Sequence, residues 1–412
     1  VLGTCLILQY SIPGSLIGKV LSAKPIVATG LLSYSLYLWH FPIFAFARIK
    51  NSSPSDSDKL GWIALTIGLS ILFYFLVEKP FRQNRNMPIR SALLLIAGGG
   101  VAAMLLCGIT LGANGFSSRL PAIFVDEHFT QEPWHDLKDD TGRICYDTQE
   151  GCIFTPKSTD AQRIAVIGDS HLTILANDLK NRLRDDNALY FSLLGGCPLY
   201  IEASRYNSKD IRSEKCNIET QAARMDRILT FRPDITILMA RYPVSVEGKW
   251  FDNQEGGIES TGFLTIKDAQ GNPAIGKAIS LSMEKLLQSG SEIILIYPMP
   301  EVGWDVPKKL MAERPKNFWE FDAYLKDKPI TTSYAVYQQR TKTSFAILDQ
   351  IKSDQITRLY PHKLFCNTQL EGRCVTHDST HLFYRDDDHP SAFAAGMIND
   401  LIIAEIEVAA KR

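Results

Sequence analysis

The chain divides by its hydropathy pattern near residue 113. Before that point apolar residues run in long stretches, roughly Ile26–Ala47, Leu60–Val77 and Ser91–Ala113. Each spans about 18–23 residues, long enough to cross a bilayer as a helix. Val1–Tyr10 reads as the tail of a fourth span. Beyond the division the apolar runs shorten. Ile164–Asp169, Ala188–Leu194, Ile235–Ala240 and Glu292–Pro298 read as buried strands, and Leu172–Leu183, Ile218–Leu229, Ala274–Gln288, Tyr334–Ile351 and Pro390–Glu407 as helices. Such alternation predicts an α/β domain with a parallel sheet flanked by helices on both faces. Phe116–Asp160 is polar, with Pro and Gly and no clear period, and reads as a linker that packs on that domain. The expected organisation is therefore membrane helices over 1–113, an extension over 114–160 and an α/β domain over 161–412.

Charge adds an orientation. With 44 basic and 45 acidic residues the net charge is −1, which gives no support to nucleic-acid binding. Lys79, Arg82, Arg85 and Arg90 lie between the second and third spans, and Lys19 and Lys24 precede the first. Basic loops stay in the cytoplasm, so the third span is expected to run outward and the α/β domain to lie outside. The sequence begins at Val1 inside an apolar run, without a signal-peptide pattern. It is read as the C-terminal part of a longer membrane protein, with a trimmed anchor helix as the alternative.

The cysteines agree with export. Cys145, Cys152, Cys197, Cys216, Cys366 and Cys374 all lie in the polar part, an even number that favours disulfides. Proximity suggests Cys145–Cys152, Cys197–Cys216 and Cys366–Cys374, although connectivity does not follow from sequence. A zinc site on Cys374, His377 and His381 is the rival reading. No Cys-x-x-Cys accompanies it, and no metal is expected.

Two blocks carry the chemistry. Ile167-Gly168-Asp169-Ser170-His171-Leu172 follows the run Ile164-Ala165-Val166, which puts a serine hydroxyl at a strand-to-helix turn. The first N–H groups of a helix point outward there, free to hold an oxyanion. Asp386-Asp387-Asp388-His389-Pro390-Ser391 precedes the last helix. Ser170 is the candidate nucleophile, His389 its base, and Asp386 the group that fixes the imidazole tautomer. The alternative for Gly-Asp-Ser alone is a plain helix cap. Asp387 and Asp388 compete with Asp386 for its role; spacing favours Asp386, and the other two read as solvated loop charges, Asp169 as a turn holder and His171 as a surface histidine. Gly196, in Leu194-Gly195-Gly196-Cys197-Pro198, is a candidate second oxyanion donor, because glycine allows a close backbone approach. Arg241 is either a cationic oxyanion or substrate group or a structural ion pair.

Gly168-Asp169-Ser170 with Asp386-x-x-His389 resembles the SGNH hydrolase family over about Arg163–Glu407. Ser33-Tyr34-Ser35-Leu36-Tyr37-Leu38-Trp39-His40-Phe41-Pro42 and Val77-Glu78-Lys79-Pro80-Phe81-Arg82 resemble the last membrane helices of the acyltransferase-3 family. Together they look like a bacterial acyltransferase-3/SGNH fusion. The resemblance implies an inner-membrane anchor and a periplasmic domain that O-acetylates an envelope polysaccharide such as lipopolysaccharide O-antigen. It implies acetyl-CoA as the donor, reaching Ser170 through the membrane domain, with no cofactor bound to the SGNH half. The family's early membrane helices, which hold the acyltransferase-3 catalytic histidine and arginine, are not in this chain. The asparagine that many SGNH enzymes carry after the third strand is replaced by Leu238-Met239-Ala240-Arg241-Tyr242-Pro243. His40 receives no catalytic role. Trp250, Phe251, Trp304, Trp319 and Phe321 could stack on sugars or fill the core. A carbohydrate O-acetyl esterase and a glycan-binding module with a vestigial triad are the alternatives.

Overall fold

The computed structural model describes residues 15–50, 54–83, 88–119, 123, 133–156, 161–259, 262–313, 315 and 320–409. The expected tail of a fourth span, Val1–Tyr10, lies outside them. The chain forms two compact units, Val1–Phe116 and Ser117–Arg412.

Among its described residues the first unit contains three helices long and apolar enough to cross a membrane, Lys24–Lys50, Asp56–Phe73 and Ile89–Gly112. The second continues through a π-helical turn, Tyr74–Glu78, into Lys79–Gln83. Its start is fixed by Ser55, whose hydroxyl accepts from the Asp58 amide while Asp58 accepts from the Ser55 amide. Apolar side chains such as Leu94, Met104 and Leu111 face outward. That is the inverse of a soluble helix bundle and suits a lipid surround. Polar groups turn inward instead: the fully buried Ser35 hydroxyl donates to Glu78 Oε2 at 3.0 Å.

The second unit is an α/β fold. Its strands, in chain order, are β1 (Cys152–Phe154), β2 (Gln162–Gly168), β3 (Asn187–Leu193), β4 (Ser204–Tyr206), β5 (Ile235–Met239), β6 (Thr265–Lys267), β7 (Glu292–Ile296), β8 (Thr331–Ser333), β9 (Ile356–Leu359) and β10 (Arg373–Val375). Six of them form one sheet in the order β1-β3-β2-β5-β7-β9, parallel except for β1 at the edge. Alternate residues of β2 feed opposite cores. Ile164 and Val166 pack with Leu175, Ile398 and Ile402, from the helices Ser170–Leu183 and Ala392–Ala409. Ala165 and Ile167 pack with Met225, Ile228, Ile279 and Met283, from Ile218–Phe231 and Ile275–Gln288. Burying each such aliphatic side chain stabilises the fold by about 1.5–3 kcal/mol. With both faces covered, these strands read as continuous apolar runs and not as alternation.

The chain leaves β2 toward β3 on one side and later returns to β5 on the other. This makes the carboxyl end of β2 a topological switch point, where sites form in open parallel sheets. Three disulfides, Cys145–Cys152, Cys197–Cys216 and Cys366–Cys374, staple the loops. Cys374 is thereby removed from any zinc site, while His377 Nε2 accepts from the Ile330 amide.

The segment read as an extension belongs structurally to the α/β unit. Leu137, Cys145 and Phe154 are fully buried in its core, and β1 pairs with β3 through Cys152↔Phe191. β9 and the two small antiparallel pairs, β4–β6 and β8–β10, have no counterpart among the expected strands. They are three or four residues long, too short to show a period.

Candidate active site

The turn that carries Ser170 is built by Asp169. It is the N-cap of the helix Ser170–Leu183, and its two carboxylate oxygens tie two elements together. Oδ1 accepts from the His171 amide at 3.0 Å, and Oδ2 accepts from the Arg241 amide at 2.9 Å, just past β5. Ser170 therefore leaves the carboxyl end of β2 at a fixed angle, half-buried. The His389 loop reaches it from the other side. His389 Nε2 lies 2.9 Å from Ser170 Oγ, and Nδ1 lies 2.9 Å from Asp386 Oδ2. In the neutral tautomer Nδ1–H donates to carboxylate and Nε2 accepts the serine proton. Asp386 Oδ1 accepts from the amides of Asp388 and His389 at 3.1 and 2.8 Å, which curls the loop. The three residues singled out as a triad thus stand in one hydrogen-bonded line.

Asp388 and His171 are not surface groups. Asp388 is 3 % exposed and His171 2 %. Asp388 Oδ1 is 3.0 Å from His389 Nδ1, while its Oδ2 meets His171 Nε2 at 2.9 Å and Arg241 Nη1 at 2.8 Å. The expectation of solvated charges fails because a run of aspartates carries no burial signal. Asp387, half-buried, serves chiefly through its carbonyl, which accepts from the amides of Val302 and Gly303.

Arg241 also needs correction as a candidate oxyanion donor. Its Nε donates to Glu301 at 2.6 Å, Nη1 meets Asp388, and Nη2 meets Glu259 and Glu301 at 2.5 Å. With every nitrogen held by a carboxylate, the guanidinium is part of a structural ion cluster and is not aimed at a reacting centre. Arg340 completes the cluster at Glu301, 2.8 Å away. Two groups here bring metal-type ligand atoms within 4.8 Å of one another, His171/Asp388/His389 and Glu259/Asp387/Asp388. Asp388 belongs to both, and the resident cation beside it is Arg241.

Gly196 lies in the turn that closes β3, with φ +60°. A side chain there would sit in the left-handed region and meet Arg205 Nη1 at 3.0 Å. Its N–H has no protein acceptor among the described residues, whereas the Gly195 amide is engaged by Asp147. Below both turns lies Arg224, fully buried. It donates to Gly168 O at 2.8 Å, Cys197 O at 2.9 Å, Ser192 O at 2.6 Å and Ser192 Oγ at 2.8 Å.

The charges are strongly coupled. Burial opposes a charged His389, but the charge of Asp388 and the hydrogen bonds that the imidazole donates to Asp386 and Asp388 outweigh it and raise the imidazole to about 10. Burial would raise Asp388, yet His389, Arg241 and the His171 bond hold it well below the usual carboxylate range. Burial lifts Glu259 to about 7 despite Arg241.

Aromatic rings divide by role. Trp134 stands edge-on to His389 at 5.1 Å, with Arg385 over its face at 5.5 Å. Of the proposed sugar platforms, Phe251 and Phe321 are core residues. Trp250 lies under Arg241, Lys309 sits over Trp304, and Trp319 lies outside the described residues. Sequence reasoning missed Trp134, Arg224, Glu259 and Glu301. Only Trp134 carried any signal, as a large aromatic in a polar stretch.

The chain is similar to known proteins in two ways. It is 31 % identical over 86 residues to the peptidoglycan O-acetyltransferase OatA of Listeria monocytogenes, covering 20 % of this chain and 14 % of that protein. It is 38 % identical over 75 residues to the O-acetyltransferase OatA of Staphylococcus aureus, covering 18 % and 12 %. The chain thus spans a small part of the length of these relatives. Among solved structures, the lipopolysaccharide acetyltransferase periplasmic domain of Salmonella ser. Paratyphi A aligns with TM-score 0.38 and 17 % identity, over 60 % of this chain and 85 % of that one. Residues 135–404, most of the chain, match the family described as SGNH domain (fused to AT3 domains), and the chain belongs to that family.

Proposed function

We propose that the α/β unit is an O-acetyltransferase domain that carries an acetyl group on Ser170 and passes it to a hydroxyl of an envelope polysaccharide, such as lipopolysaccharide O-antigen. The observation that carries this reading is the line from Asp386 through His389 to Ser170 at the carboxyl end of β2. Family membership and the partial likeness to the O-acetyltransferases OatA support it.

The chemistry divides into two halves. Neutral His389 takes the Ser170 proton as Oγ bonds to the acetyl carbonyl carbon. The tetrahedral oxyanion lies against the N–H groups of Ser170 and Gly196. His389 then gives the proton to the departing donor group, leaving acetyl-Ser170. In the second half His389 deprotonates the sugar hydroxyl, the new ester forms, and the proton returns to Ser170. The domain works on the periplasmic side of the inner membrane. The acetyl group comes from acetyl-CoA by way of the membrane-embedded part of the full protein, and no metal or bound cofactor enters these steps.

The test is intact-mass analysis of the purified chain in detergent with p-nitrophenyl acetate, beside Ser170→Ala. A transient acetyl adduct on the parent chain, with nitrophenol release about 10⁴-fold or more above the variant, is the expected result. Adding envelope glycans should divert acetyl from water to sugar. Turnover that stays hydrolytic at saturating glycan would make the domain an esterase. A folded chain with no Ser170-dependent adduct would make it a binding module.

A further inference from the structure

We propose that Asp388 is a second positioning carboxylate for His389, and that His171 and Arg241 serve the reaction by holding it. This rests on the reading of Ser170 and His389 given above.

The geometry is a fork. His389 Nδ1 lies 2.9 Å from Asp386 Oδ2 and 3.0 Å from Asp388 Oδ1, so one N–H faces two carboxylates. The prongs differ. The Asp386 side chain is 30 % exposed, and its free oxygen accepts from backbone amides. The Asp388 side chain is 5 % exposed, and its far oxygen is held by His171 and Arg241. Water screens the first prong and not the second, so the buried charge acts on the imidazole at lower effective dielectric. A buried carboxylate also needs full pairing, and Arg241 with His171 satisfies only one of its oxygens. The other is aimed at His389. The Nε2 edge of His171 is fixed on Asp388, and its ring lies 4.9 Å from that of His389. Arg241 in turn is locked by Glu259 and Glu301. The loop that carries Glu259, before β6, and the segment after β7 that carries Glu301 are thereby connected to the base.

The groups facing His389 can be named from each element. Asp386 and Asp388 come from its own loop, and His171 from the helix after β2. Arg241 stands behind Asp388, with Glu259 and Glu301 behind it. Lys308, on Val306–Glu313, is paired with Asp305 at 2.7 Å and adds a smaller attraction to Asp387 and Asp386. The carboxylates closest to the ring favour its protonated form, consistent with an imidazole raised to about 10. Because the base must be neutral to take the Ser170 proton, turnover should climb with pH well into the alkaline range. After the first proton transfer the same fork stabilises the imidazolium.

The experiment is an NMR titration of the full chain in detergent with labelled histidine, His389 being assigned by His389→Gln. The imidazole pKa is read in the parent chain, Asp386→Asn, Asp388→Asn and Asp388→Glu. The pH limb of kcat/KM with p-nitrophenyl acetate is read alongside. Asp388→Asn should lower the imidazole pKa and the limb by more than about one pH unit, and further than Asp386→Asn does. Asp388→Glu, which keeps the charge, should restore much of the shift. An Asp388→Asn chain that loses turnover with pKa and limb unmoved would overturn the proposal, since that is the mark of a merely structural residue. If Asp388→Asn does not fold, Asp386→Asn decides. A pKa that stays high there supports the second prong, and one that falls to the ordinary value of about 6.5 removes it. Absence of Ser170-dependent turnover in the parent chain would sink the acetyl-transfer reading, while the histidine titration would still decide whether the fork exists.

Discussion

Two arginines withdrawn from solvent stand close to the Ser170 turn, and they are held in opposite ways. Arg224 is wrapped by backbone carbonyls and one serine hydroxyl, and burial pulls its guanidinium down to about 10, still charged at neutral pH. Arg241 is wrapped by Asp388, Glu259 and Glu301, whose charges outweigh its burial and raise it. Arg224 binds the carbonyls of Gly168 and Cys197, the former two residues before Ser170 and the latter next to Gly196. It therefore sets main-chain positions, where an oxyanion would be held. Arg241 sets side-chain charge, where a proton is held. A desolvated cation can serve as a staple or as a counter-ion, and its partners decide which.

The largest expected break is Arg241→Met. It breaks the Glu259 ion pair outright and weakens two others, since Arg340 still meets Glu301 while His389 and His171 still meet Asp388, and it should cost about 3–5 kcal/mol of stability near pH 8, read by urea denaturation. Without the guanidinium Glu259, already raised by burial, stays above its unfolded pKa and is pushed further up. Its protonated form then favours the fold, so the loss should shrink as pH falls toward 5. Glu259, already lifted to about 7, sets the window. Arg224→Met sharpens the contrast. It leaves neutral acceptors unsatisfied, at a cost of about 3 kcal/mol that should not change over the same pH range. A pH-independent loss in Arg241→Met would erase the distinction. Smaller again is removal of the Cys197–Cys216 bridge by paired Cys→Ser changes. It closes a segment with separation 19, and its loss should cost about 2–3 kcal/mol. The turn that presents Gly196 lies beside Cys197, so acetyl-adduct formation should fall along with the melting temperature.

The same contrast separates what was legible in the sequence from what was not. The Ser170 and His389 blocks are local: a strand, a cap and a three-residue spacing state their geometry within a few positions. The membrane helices and the main parallel strands are equally plain, because burial on all sides leaves long apolar runs. The ion cluster is not local. Arg241 reaches Glu259, Glu301 and Asp388 across 18, 60 and 147 positions, with no pattern in between. Asp386, Asp387 and Asp388 are chemically identical in sequence, and only the packing of His171 and Arg241 makes the third a buried group. The edge strand β1 escaped for a different reason. Three residues that start at a disulfide cysteine, Cys152–Phe154, have no periodicity to show.

The three bridges have one more consequence, for how the domain comes into being. Their sequence separations are 7, 19 and 8 residues, so each joins neighbours. The second cysteine of each pair follows the first along the chain before the next pair begins. Nearest-neighbour oxidation therefore yields the native pattern in order, and little isomerase reshuffling is needed to correct it.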